Sequence, residues 1–197
     1  MTPPRGHTYK LTAYPKDIHL RDGVRVTLQP MTSADADALL KFFLQVPAEE
    51  RHYLKEDVTS PKVISRWAEE LDYDRALPLL AWVDGRVVAD GSLHRTRTMA
   101  RRHVGELRIV VDPAFRLRGL GTILMHELAA IARENGLERI MFEAIGGMQD
   151  EAVKAAEFMG FMQIAVLPGY GKDLNGHPRD ILLMEMPLGK WFDWWNF

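Results

Sequence analysis

Residues 106–122, ELRIVVDPAFRLRGLGT, constrain this chain more than any other stretch. Leu107 to Val111 form a run of strand length, apolar but for Arg108, Asp112-Pro113 closes it, and Leu120 opens an apolar periodicity of helical spacing. Between them lies a short loop of small and basic residues. Such a loop turns several backbone N–H groups towards one point, and the positive end of the following helix dipole adds to them, so a pyrophosphate can be held there without a metal. Gly119 and Gly121 let the backbone approach closely. Taken alone, two glycines at this spacing also describe an ordinary strand-to-helix turn.

Other site patterns fit less well. Leu124 stands where a dinucleotide fingerprint has its third glycine, and no Lys-Ser or Lys-Thr pair completes a P-loop. His126-Glu127 begins like a metalloprotease helix, but Ala130 takes the place of the second histidine. The chain has no cysteine, which excludes disulfides, thiolate metal sites and a cysteine nucleophile. No metal is expected.

The flanking sequence reads as alternating strands and helices. Val24, Val26 and Leu28 alternate with polar residues and stop at Pro30; Thr32 then caps a helix whose apolar face is Ala36, Leu39, Leu40, Phe43 and Val46, ended by Pro47. Ser60-Pro61 starts a second helix, with Val63, Ile64, Trp67, Ala68 and Leu71 on one face. Asp84-Gly85 joins two strands, Leu79 to Val83 and Arg86 to Leu93, in a tight primed turn. A strand over Val104 to Val111 precedes a helix ending near Asn135-Gly136, followed by a strand at Arg139 to Ala144 and a helix from Asp150 to Phe158. Strands at Phe161 to Leu167 and Ile181 to Met186 close the series, separated by a polar, Gly-rich loop over 168–180. This order suits an α/β fold of three layers, a mixed sheet with helices on both faces.

With 197 residues, 47% of them hydrophobic, the expectation is one domain across 1–197, its core at about 24–187 and a tail over 188–197. A net charge of −2 argues against a nucleic-acid partner, and no segment has the length of a membrane span. Met1 to Lys10 carries prolines and charges where a signal peptide is apolar, so a cytoplasmic location is expected.

Arg116-x-x-Gly119-x-Gly121 at a strand-to-helix junction resembles the acyl-CoA signature of the GNAT superfamily, and the strand order from Val24 to Met186 is similar to that family's topology. The resemblance implies a three-layer αβα fold with a mixed, mostly antiparallel sheet. It implies acetyl-CoA as cosubstrate, the backbone of Ile109, Val110 and Val111 pairing with the pantetheine arm like an added strand. Arg116, Leu117, Arg118, Gly119, Leu120, Gly121 and Thr122 would surround the pyrophosphate, and Gln149 takes the place of a frequent asparagine at the next helix start. Glu106 falls where many members hold a catalytic carboxylate, which would take the proton an alkylammonium must lose before it attacks a thioester; otherwise it is a solvated strand-end glutamate. The chain departs from the family at Ala156, where many members have a tyrosine that protonates the leaving thiolate; Tyr170, in the loop over 168–180, is a substitute, and solvent is another.

Leu20-Arg21-Asp22-Gly23, Gln29-Pro30, Phe42-Phe43 and 47–53 loosely resemble bacterial protein lysine acetyltransferases, which leaves a protein lysine and a small-molecule or amino-acid amine as acceptors. A non-catalytic acyl-CoA sensor is the reading from another class. Arg95, Arg97, Arg101, Arg102 and His103 form a basic cluster that reads as a solvated hairpin face or as a surface for an acidic substrate or a second subunit. The tail, Trp191 to Phe197, has five aromatics in seven residues and is expected to cover an apolar groove on this subunit or on its neighbour in a homodimer.

Overall fold

The structure, a computed structural model, describes residues 11–96 and 98–189. The aromatic tail and Arg97 lie outside the described residues. Strands β1 (Lys16–His19) and β2 (Arg25–Pro30) pair antiparallel, the first of them unforeseen because four residues show too little alternation. Asp35 Oδ2 accepts from both the backbone N and the hydroxyl of Thr32, fixing a single 3-10 turn that leads into α1 (Ala36–Gln45). Pro47 ends α1 but also opens α2 (Ala48–Arg51), a single turn. Ser60 sits at the N-cap of α3 (Pro61–Glu69), although its side chain makes no capping bond.

The Asp84-Gly85 turn between β3 (Ala76–Val83) and β4 (Arg86–Arg95) has positive φ at both positions, 49° and 74°, as a type I′ turn requires. Then follow β5 (Val104–Val111), α4 (Leu120–Glu134), β6 (Arg139–Ile145), α5 (Asp150–Phe158), β7 (Met162–Lys172) and β8 (Pro178–Pro187). The loop expected over 168–180 is instead mostly strand. Pro168 and Gly169 fall in a bulge between Leu167 and Gly171 on an edge strand, where a missing N–H is tolerated, and only the turn at 173–177 remains, held by Asp173 accepting from the N–H groups of Asn175 and His177.

The eight strands form one sheet in the order β1-β2-β3-β4-β5-β6-β8-β7, parallel only between β5 and β6. Strand alternation directs side chains to its two faces. On one, Leu79, Ala89, Leu93 and Leu107 pack against Leu120, Leu124 and Leu128 of α4 and Ala156 of α5. On the other, Leu80, Val87 and Val110 meet Leu39, Phe42 and Phe43 of α1 and Ile64 and Ala68 of α3. No helix among the described residues is long and apolar enough to cross a membrane.

Candidate active site

The sheet opens at its centre. β5 and β6 pair at Val104, Gly105 and Glu106 and no further, although β5 runs on to Val111. Asp112 donates its N–H to Val88, so by antiparallel alternation the polar groups of Val110 face β4 while those of Ile109 and Val111 face the open side. Of the three residues expected to pair with an added strand, Ile109 therefore turns both its N–H and its carbonyl to the open side and Val111 its N–H, with no backbone partner for these groups among the described residues. The Val111 carbonyl already accepts from Arg116, at 3.0 Å from Nε and 2.9 Å from Nη2.

Beyond β5 the chain makes a fixed corner. Asp112, buried, accepts from Ala114 N at 2.8 Å and from Arg86 at 3.0 Å, and Phe115 lies between the guanidinium groups of Arg86 and Arg118. Two left-handed residues then shape the loop, Leu117 at φ 59° and Gly119 at φ 93°. Leu117 is 81% exposed, so packing does not account for its unfavourable conformation. Gly119 is the N-cap of α4 and has no side chain to offer, which leaves the first N–H groups of the helix, from Leu120 to Thr122, without a capping partner. Arg116 points its Nη groups to Glu50 of α2 at 2.8 and 2.7 Å, and Arg118 pairs with Asp22 at 3.0 Å.

Glu106 stands at the fork, in the last β5–β6 pair, with its side chain 30% exposed. Both of its hydrogen bonds fall on Oε1, from Lys55 Nζ at 2.8 Å and Arg108 Nε at 2.9 Å. Burial pushes its carboxyl up, but the bonds and charges of Arg108 and Lys55 prevail and hold it below the usual carboxylate range. Across the ladder, His94 lies opposite Glu106 and Ser92 opposite Arg108, with the Ser92 hydroxyl 2.9 Å from His94 Nε2. Burial first, and the charge of Arg108 second, bring His94 down to about 4, so the ring is neutral at physiological pH. Asp90, opposite Val110, completes this polar row; burial pushes it up to about 7, and its Oδ1 is buried with no hydrogen-bond partner among the described residues.

Residues 41–161 match the family model described as Acetyltransferase (GNAT) family, well over half of the chain. The chain belongs to the GNAT acetyltransferase family. Among solved structures it is similar to the GNAT domain of S. lividans PAT, with 24% identity, TM-score 0.70, and coverage of 87% of this chain and 96% of that one. It is also similar to a ribosomal-protein-alanine N-acetyltransferase from Brucella melitensis, at 24% identity and TM-score 0.69, covering 81% and 98%. A phosphinothricin acetyltransferase from Sinorhizobium meliloti in complex with AcCoA shares 20% identity at TM-score 0.71, covering 84% and 89%. At these identities the likeness concerns the fold.

Within this GNAT fold the expected site residues fall into one region, except that Gln149 sits at the start of α5 and its Oε1 accepts from Ile145 N at 2.7 Å. Ala156, where the family often has tyrosine, is fully buried against the sheet, and Tyr170 is 77% exposed on β7. Sequence reasoning missed Lys55, Arg108, His94 and Glu50. Arg108 and His94 left a signal, polar residues at every second position of strands otherwise apolar; Lys55 and Glu50 arrive through tertiary packing from 51 and 66 residues away and left none.

Proposed function

We propose that the chain is an acetyl-CoA-dependent N-acetyltransferase acting on an amine, with Glu106 as general base. The observation that carries this reading is the placement of a half-buried carboxylate at the fork where β5 leaves β6, between an unpaired strand edge and an uncapped helix start. The N–H and carbonyl of Ile109 and the N–H of Val111 suit the amides of a pantetheine arm, and the N–H groups from Gly119 to Thr122 suit a pyrophosphate. When bound, acetyl-CoA supplies an activated acyl group: the amine nitrogen bonds the acetyl carbon, the carbon–sulfur bond breaks, and CoA leaves with a proton. Glu106 takes the proton that the ammonium must lose, through Oε2, on which no described residue forms a hydrogen bond. With Ala156 buried and Tyr170 largely exposed, the thiolate takes its proton from solvent.

Release of free CoA from acetyl-CoA over a panel of amines and lysine peptides tests the reading. Acceptor-dependent release abolished in Glu106→Gln supports it; binding of acetyl-CoA without release for any acceptor leaves an acyl-CoA sensor, the reading that Ala156 favours.

A further inference from the structure

The acceptor side of Glu106 has more positive charge than the base needs. One carboxylate oxygen, Glu106 Oε1, receives both Lys55 Nζ and Arg108 Nε. His94, directly across, brings no negative charge to offset them. Arg108 engages only through Nε; among the described residues its two Nη groups make no hydrogen bond, and the side chain is 35% exposed. The outer pair of guanidinium nitrogens thus offers an open fork, the geometry that receives a carboxylate with two parallel bonds.

Lys55 also lines an open cleft of about 460 Å³ formed by α2 and the segment that leads from it to α3, together with Arg51, His52, Glu56 and Asp57. The acids of that wall are already occupied. Glu56 holds Arg66 and the Trp67 indole N–H, while Asp57 accepts from the backbone N and the hydroxyl of Thr59. Arg51 keeps a buried Nε with no hydrogen-bond partner among the described residues. His52 closes the far side by bonding the Lys172 carbonyl of β7 at 2.8 Å.

Resting on the acetyltransferase reading, we propose that the acceptor is an α-amino acid, whose carboxylate is received by Lys55 and the open fork of Arg108 while its ammonium group faces Glu106. The anion receptor sits on Oε1 and the base acts through Oε2 of the same carboxylate, so the acceptor's anion and amine must be close neighbours, as they are when a single carbon joins them. The anion also draws the two cations off Oε1, and with them goes the influence that weakens the base. A protein lysine has no anion beside its ammonium; it would bring a third cation against Lys55 and Arg108 and leave Glu106 paired.

The test compares each of the twenty α-amino acids with its carboxamide and with an N-terminally blocked lysine peptide. Two readouts are used: CoA release with acetyl-CoA, and calorimetric titration of the CoA-saturated protein. At least one acid is expected to exceed its carboxamide and the lysine peptide about ten- to a hundredfold in kcat/KM and in affinity, the value of a charge-assisted contact. Lys55→Met and Arg108→Gln should each reduce that ratio to within about threefold, chiefly through KM. Acetylation of carboxamides or lysine peptides as good as that of the acids overturns the proposal and leaves the acetyltransferase reading standing. No CoA release with any acceptor sinks the acetyltransferase reading, and the titration then decides separately: equal or absent binding of acid and carboxamide overturns the acceptor assignment, and selective binding of an acid supports it.

Discussion

Glu106→Gln keeps the size of the side chain and removes its basicity. Turnover is expected to fall about 10²- to 10⁴-fold, while acetyl-CoA affinity by direct titration stays near that of the parent, because the loop over 116–122 is untouched. Near-parental turnover would make Glu106 structural. Asp90 offers a second test on the same sheet face. Burial pushes its carboxyl up to about 7 against the pull of Arg108, so the folded protein keeps a proton that the unfolded chain releases near 3.8. The stability linked to that proton is complete below 3.8 and is lost as pH rises through about 7. Asp90→Asn should therefore stabilise the protein more at pH 8 than at pH 5, by on the order of 1 kcal/mol or more in urea midpoints; the same change at both pH values would mean that Asp90 does not titrate there. Glu106 was legible from its spacing to Arg116-x-x-Gly119, because local order fixes both. Its partner Lys55 was not, since a charge in a turn after a one-turn helix looks like any solvated lysine until the fold brings it over β5.

Two glycines on neighbouring elements separate packing from ligand binding. A Cβ at Gly105 of β5 would come within 2.7 Å of Leu93 Cδ1 and 3.0 Å of Leu137 Cδ1, whereas at Gly121 of α4 it would meet only Val111 Cγ2 at 3.7 Å. Gly105→Val should cost roughly 1–3 kcal/mol by overpacking. Gly121→Val should fold with a melting temperature close to the parent's, yet lose the stabilisation that acetyl-CoA confers, because the new side chain stands over the helix start. An unchanged ligand-induced shift in that variant removes the pyrophosphate assignment. Elements with long periodic patterns, such as α4 and α5, were legible almost to the residue, as was the Asp84-Gly85 hairpin. The β7–β8 arm was read too short because Pro168, Gly169 and Gly171 look like a loop locally; an edge strand with a bulge absorbs them, and only the pairing partner reveals it.

Across the whole molecule, the Glu50–Arg116 pair ties the helices on one face of the sheet to the loop that leads into α4 on the other. Both partners are about one-third exposed, so Glu50→Ala should cost no more than about 1 kcal/mol of stability. Freed of its carboxylate, Arg116 is available to a phosphate, and acetyl-CoA should bind a few-fold tighter at low salt, less so at high salt. Weaker binding would show instead that Glu50 positions Arg116. The fork between β5 and β6 has an outcome that needs no turnover to observe. A central strand of an eight-stranded sheet should shield its amides from deuterium, yet here Ile109 and Val111 face the opening while Val110 bonds β4. Hydrogen exchange along β5 should therefore alternate, fast at Ile109 and Val111 and slow at Val110, and acyl-CoA filling the gap should slow the fast amides and erase the alternation.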